Sequence, residues 1–520
     1  MKNPVYQFVI ISLIFILSSC NTPDYDIVIK GGTIYDGKGG QPYQADIGII
    51  DNMIVKTGKI NFGDAIVIEA EGNIVSPGFI DVHTHCSSGL VKIDTSAALN
   101  YLSQGVTTVV SGNCGGGTYK VEEYFSRLNS IGIGPNVAHL AGHATIRRSV
   151  MGMDDRDPSK EELEEMKNLV KSAMEQGAIG ISTGLFYSPG SFTKADEIIE
   201  LARVIKQYNG IYVSHIRDES NYTIGLEQAI REAILIGEEA DIPVQISHIK
   251  ALGKPVWGLS DEVDAIIKEA RTNGIEVLAD QYPYTASSTS LAAMVLSRWI
   301  QSGGKTRDRL RDPDLLPEIA ADITANIERR GGAESLVIVS YRPDSSLVGK
   351  SLGEISRETG KNIIETAIWL IIEGNPTTVS FNMNEKDVIT FMQKDYVMTS
   401  SDGGVQVPGM AMTHPRSYGA FTHKIREYVL DRKIISMEHA IRAATSLPAA
   451  MFRLKDRGLI EEGKIADIVI FDPDDIRDNA TFDNPHQYSS GIEFLLINGE
   501  IVIDGGVFNG KLAGKTIRLQ

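Results

Sequence analysis

His83 and His85 stand two apart at the end of a short apolar run, 79–83, that follows Ser76-Pro77-Gly78. Along a strand, side chains i and i+2 share a face. Both imidazoles therefore point to one side, and neutral imidazole is a common metal ligand. Ligand-type residues close four other apolar runs. They are Cys114 in Ser111-Gly112-Asn113-Cys114-Gly115-Gly116-Gly117, His215 in Val213-Ser214-His215, His248 in Ile246-Ser247-His248, and Asp402 in Thr399-Ser400-Ser401-Asp402-Gly403. Ten histidines are few for 520 residues, so four in such slots form a pattern. A thiolate, two imidazoles and a solvent molecule make a four-coordinate zinc site with one open position. The glycines after Cys114 let the backbone turn tightly and bring the sulfur in. A carboxylate alongside, Asp402, can take a proton from water and pass it to a leaving nitrogen. The competing readings are a helix N-cap for Asp402, and a buried free thiol or a disulfide with Cys86 for Cys114.

Something must carry these residues to one place. Strand-like runs at 79–83, 107–111, 137–140, 179–183, 211–214, 244–247, 276–279 and 396–399 alternate with amphipathic segments. Residues 161–176, 195–208, 226–239 and 260–272 show the 3–4 spacing of helices. Continuous apolar strands alternating with helices predict an α/β fold, a (β/α)8 barrel whose active site lies at the C-terminal strand ends. An open doubly wound sheet is the rival, but no Gly-rich dinucleotide loop follows the first strand. Short β-rich runs at 26–69 and again at 466–504 predict a small β-sandwich built from both chain ends. The connection before the eighth strand is far too long for a βα loop. Residues 284–349 are read as an inserted lid, with a plain structural insertion as the alternative. The expected domains are 1–19, 20–77, 78–457 with the insertion at 284–349, and 458–520.

Hydrophobic residues make up 42% and charged residues 22%, a globular composition. A net charge of −17 repels phosphate backbones, so no nucleic-acid partner is expected. At the N-terminus, Lys2 precedes an apolar run too short to span a bilayer, and Leu17-Ser18-Ser19-Cys20 follows. The ending resembles the bacterial lipoprotein lipobox, which implies a signal peptide at 1–19, a lipidated Cys20 and membrane attachment. Asn21 resembles an outer-membrane sorting residue, so the expected location is the cell envelope, facing the periplasm. A transmembrane anchor is the alternative.

Pro77-Gly78-Phe79-Ile80-Asp81-Val82-His83-Thr84-His85 resembles the first strand of the amidohydrolase superfamily, and Gly463-Lys464-Ile465-Ala466-Asp467-Ile468-Val469 its return to the β-sandwich. The Cys114 stretch, Ser214-His215-Ile216-Arg217-Asp218-Glu219, Ser247-His248-Ile249-Lys250 and Ser401-Asp402-Gly403 are similar to the N-acyl-D-amino-acid deacylases (D-aminoacylases). Many superfamily members use a carboxylated lysine on the fourth strand. Here that strand, 178–185, has none, and Cys114 resembles the D-aminoacylase substitute. The resemblance implies zinc-dependent hydrolysis of N-acyl-D-amino acids to a carboxylate and a free D-amino acid. It implies a tight Zn2+ site of Cys114, His215 and His248, and a weaker second site of His83, His85 and Asp402. Asp402 becomes the general base and acid. Lys250 matches a position that holds the substrate carboxylate, with Tyr187, Tyr282 and Arg416 as further pocket residues. Cys86 stands where relatives often carry an acid, a departure that bears on the second metal site. Cyclic-amide opening, isoaspartyl dipeptide cleavage and a non-catalytic binding lipoprotein are the alternatives.

Overall fold

The computed structural model describes residues 24–519. The lipobox and Cys20 lie outside the described residues. Eight parallel strands carry the site: β1 (Phe79–Asp81), β2 (Val106–Ser111), β3 (Asn136–His139), β4 (Gly180–Gly184), β5 (Ile211–His215), β6 (Val244–Ile246), β7 (Val277–Gln281) and β8 (Val397–Thr399). Their residues are all buried, as strands covered on both faces must be. The chain of β3 resumes at Ala141–Gly142 to pair with β4, while Asn136–His139 pairs with β2. β1 and β8 meet just past their ends. Asp402 N donates to His83 O at 2.9 Å, and His85 N donates to Gly403 O at 2.7 Å. The ring is thus closed by the segments that carry His83, His85 and Asp402.

The helices between strands have the expected amphipathic character. α1 (Lys160–Glu175) opens on a capping box of Ser159 and Glu162. α2 (Ala195–Lys206) buries Ile198, Leu201, Ala202 and Ile205 on one face. α3 (Leu226–Ala240) and α4 (Ser260–Thr272) pack on their neighbours in the same way.

The two chain ends join in one nine-stranded sheet, the small β domain expected from both ends. Its seam is Ile74–Pro77 paired antiparallel with Ile468–Phe471. Bulges bend the sheet, until Ile54 N, next to the outer strand's start, bonds Lys464 O at 2.8 Å. Alternation then divides the side chains: Ile468, Ile470 and Leu496 face the sheet's own core, and Val469, Phe471 and Leu495 face the barrel. The last residues leave this sheet. Val137 N bonds Lys515 O at 2.9 Å, so the segment expected to end the sandwich runs along β3 instead.

The insertion extends beyond its expected limit at 349. It holds a three-stranded antiparallel sheet of Ser287–Ser290, Leu336–Ser340 and Thr377–Ser380. The central strand is Thr377–Ser380, so the unit cannot close before it. Its core is its own, built around Met294, Ile323, Ile338, Leu352 and Leu370.

Lys424 is a buried cation with no acidic partner among the described residues. Lys424 begins a π-helical stretch, Lys424–Asp431, and its Nζ donates to Thr399 Oγ1 at the end of β8 at 2.9 Å. Burial brings its pKa down to about 7. The unfolded chain, near pKa 10.4, binds more protons between those limits, so this group makes stability rise with pH from about 7 to about 10.4. Lys424→Met is expected to add about 2–4 kcal/mol at pH 7 and to flatten that rise. Urea melts of both proteins at pH 7 and pH 9 check it, and parallel pH slopes would count against it.

Candidate metal centre and active site

At the C-terminal rim of the barrel the expected ligands converge. Cys114 Sγ lies 3.3 Å from His83 Nε2, 3.5 Å from His215 Nδ1 and 3.8 Å from His248 Nε2. Zinc bonds of about 2.3 Å to sulfur and about 2.05 Å to nitrogen, meeting at the tetrahedral angle, set donors about 3.6 Å apart. The donor spacing of Cys114, His215 and His248 therefore fits zinc. Donor atoms of His83, His85 and Cys114, and of His83, His248 and Asp402, also fall within 4.8 Å of one another. The two expected sets are thus less separate than the sequence reading has them, because the sulfur sits between both. Cys86 and Cys114 are both free thiols. Cys86 is fully buried against Thr84 Oγ1 at 3.0 Å, and burial pushes its thiol up to about 12. It offers the metal cluster nothing.

Backbone strain marks the same positions. Cys114, His248 and Asp402 all have positive φ, at 53°, 36° and 48°. Such a conformation costs an L-residue about 1 kcal/mol or more and persists only where surroundings impose it. Gly184 shows one such imposition. A Cβ there would meet Cys114 O at 2.4 Å, so β4 must end in glycine for the cysteine loop to dock.

A shell of buried acids aims the imidazoles. Glu219 Oε1 lies 3.0 Å from His248 Nδ1 and 2.6 Å from Lys250 Nζ, and the two nitrogens are 2.7 Å apart. That leaves His248 Nε2 to face the sulfur. Asp280, at the end of β7, accepts from His248 N at 3.0 Å and Ser400 Oγ at 2.6 Å and stands 3.7 Å from His83 Nδ1. Asp402 Oδ1 is 3.1 Å from His85 Nε2, and its Oδ2 pairs with Arg416 Nη1 at 2.8 Å. Burial alone would raise the Cys114 thiol, but His83 and then His215 beside it hold it well below the usual thiol range. Burial likewise opposes ionisation of Asp402, yet Arg416 and His248 keep it well below the carboxylate range. Both groups face the same cavity. Glu219→Gln is expected to weaken zinc binding by about 10–100-fold, checked by competition against a chelator with elemental analysis. Unchanged affinity would remove Glu219 from the metal's support.

A cavity of ≈ 400 Å³ opens above the ligands. Its barrel side is lined by His85, Cys114, Tyr187, His215, His248, Lys250, Tyr282, Asp402 and Arg416, and His83 lies buried beneath. Every residue singled out in the sequence therefore reaches one place. The Tyr282 hydroxyl is buried there with no hydrogen-bond partner among the described residues, under Arg416, whose guanidinium carbon is 4.6 Å from the ring centroid. The opposite wall comes from the insertion: Ser287–Ser290, Arg330 and Thr377. The lid reading of the insertion fits this placement. Sequence reasoning missed Glu219, Asp280, Arg330 and the serine strand. The first two had a signal, being acids next to or within apolar runs at strand ends.

The Amidohydrolase family profile matches residues 66–301 and 392–503. The chain belongs to the amidohydrolase family. The gap in the match covers most of the insertion and runs on into the helix Glu385–Met392, which packs in the barrel core. The D-aminoacylase of Alcaligenes xylosoxydans xylosoxydans is 33% identical over 96% of this chain and 99% of its own length. The N-acyl-D-glutamate deacylase of the same organism is 33% identical over 91% of this chain and 93% of its own. A crystal structure of N-acyl-D-glutamate deacylase from Bordetella bronchiseptica, complexed with zinc and a phosphonate inhibitor that mimics the tetrahedral intermediate, matches with a TM-score of 0.82. That structure is 32% identical and covers 95% of this amidohydrolase and 100% of the crystallised chain. In this amidohydrolase β4 reads Gly-Ile-Ser-Thr-Gly, so no lysine reaches the metals from it.

Proposed function

We propose that this amidohydrolase is a zinc-dependent N-acyl-D-amino-acid deacylase. The observation that carries the reading is Cys114 meeting His215 and His248 at tetrahedral donor spacing, with Asp402 in the same cavity. The likeness to D-aminoacylase and to the N-acyl-D-glutamate deacylase supports both the reaction and the D-configuration.

Cys114, His215 and His248 hold the tight zinc, and His83, His85 and Asp402 form a weaker second position. Bound zinc supplies a Lewis acid that polarises the amide carbonyl and makes water acidic near neutral pH. Asp402 takes the proton of the attacking water and returns it to the departing nitrogen. Arg416 keeps that carboxylate aimed and ionised, and His85 holds its other oxygen. Lys250, 5.5 Å over the Tyr282 ring, serves the substrate carboxylate, and Tyr187 and Tyr282 close the pocket around it. Charge-assisted bonds in so buried a place are strong. The products are a carboxylate and a free D-amino acid.

The test is amine release from a panel of N-acetyl-D- and N-acetyl-L-amino acids, with hydantoins alongside, on protein of measured zinc content. Release from D-substrates alone is expected. Turnover of hydantoins only would replace the reading with cyclic-amide opening.

The chain is further proposed to be a lipoprotein attached to the outer membrane through Cys20, on the strength of Leu17-Ser18-Ser19-Cys20-Asn21. Metabolic labelling with a fatty acid should mark the wild type and not Cys20→Ala. Label retained by that variant would sink the proposal.

A further inference from the structure

We infer that His414 is a positioning residue whose single imidazole ties the Arg416–Asp402 pair to the first strand of the insertion, so that the cavity's outer wall and its acidic floor are set together. The inference rests on the reading of Asp402 as proton carrier.

His414 is 2% exposed and does not itself line the cavity; its ring stands edge-on to Tyr282, which does, at 6.1 Å between centroids. Its Nδ1 accepts from Arg416 N at 3.0 Å. Its Nε2 donates to Ala286 O at 3.0 Å. Together these bonds require a neutral ring with the proton on Nε2. Burial, with the Arg416 charge nearby, holds it well below the usual imidazole range, in keeping with that state. Arg416 carries the arrangement to Asp402 Oδ2 at 2.8 Å. Ala286 carries it outward, because Ser287–Ser290 follows at once and lines the cavity. The ring cannot turn. Tyr284 and Phe482 meet it edge to face at 5.3 and 5.0 Å between centroids. A histidine that only filled space would need neither bond, and phenylalanine would serve as well.

The two bonds can be separated by substitution. In His414→Asn the side-chain oxygen falls near Nδ1 and can accept from the amide two residues on, as in an Asx turn, but the side chain is too short for Ala286. In His414→Gln the amide nitrogen reaches toward Ala286 O, while Arg416 N loses its acceptor. His414→Phe keeps the packing and loses both. Each variant is assayed on an N-acetyl-D-amino acid that the wild type cleaves, and its melting temperature is measured.

His414→Asn should keep kcat within threefold and raise KM about tenfold. His414→Gln should keep KM within threefold and lower kcat about tenfold. His414→Phe should show both losses. Hydrogen exchange gives a readout free of turnover: the Arg416 amide should stay protected in the Asn variant and exchange faster in the Gln variant, with the reverse at Ser287–Ser290. Wild-type kinetics in His414→Phe, or losses in all three that simply follow melting temperature, would overturn the inference. If the wild type cleaves no N-acyl amino acid, the deacylase reading fails, and the exchange pattern still decides the role of His414.

Discussion

Cys114→Ala is expected to strip the tight metal. Structural zinc sites contribute about 10–16 kcal/mol over four ligands, so one thiolate carries about 3–4 kcal/mol, or about 10²–10³-fold in affinity. The geometry makes the loss heavier than the count implies. The sulfur faces His83, His215 and His248 at once, and its removal leaves three imidazoles around a gap with no anion at its centre. The backbone at 114 is already left-handed and alanine bears the same strain there as cysteine, so folding should change little. Elemental analysis after dialysis, with a melting curve as control, checks the result. Zinc near one equivalent in the variant would refute the ligand set.

Asp402→Asn should leave that zinc in place and lower kcat by about 10³–10⁴-fold, the range of a positioned general acid–base. The amide keeps the size of the carboxylate but can neither accept the proton nor draw Arg416 at 2.8 Å. KM should move far less, because Lys250 is anchored separately on Glu219. Steady-state kinetics on a cleaved N-acyl-D-amino acid, with zinc measured on the same sample, would show it. Turnover within tenfold of wild type would assign the proton to another group.

The barrel was legible for a physical reason. Strands covered on both faces read as unbroken apolar runs, and a polar ligand at each run's end stands out against them. The expected spans at 107–111, 211–214 and 260–272 fall within a residue of the observed elements. Six of the ten site candidates, His83, His85, Cys114, His215, His248 and Asp402, were visible as ligand-type residues at such ends, while Lys250, Tyr187, Tyr282 and Arg416 came from the family resemblance. What escaped notice follows a different rule. Arg330 and the serines of Ser287–Ser290 reach the cavity only through packing of the insertion on the barrel, and polar residues in a long connection carry no spacing that announces it. The limit at 349 failed because the central strand, Thr377–Ser380, comes last in the chain, after two helices. The final residues, laid beside β3, bear no strand signature at all.

The joint between the first and last strands has a consequence for assembly. Residues more than three hundred positions apart meet there through Asp402 N to His83 O and His85 N to Gly403 O, in the same few ångströms as the candidate ligands. A cation gripped from both sides of that joint acts as a rivet across the barrel's seam, and by mass action its binding energy is added to keeping the seam shut. Chelated protein should therefore loosen first at 83–85 and 401–404, far from either terminus.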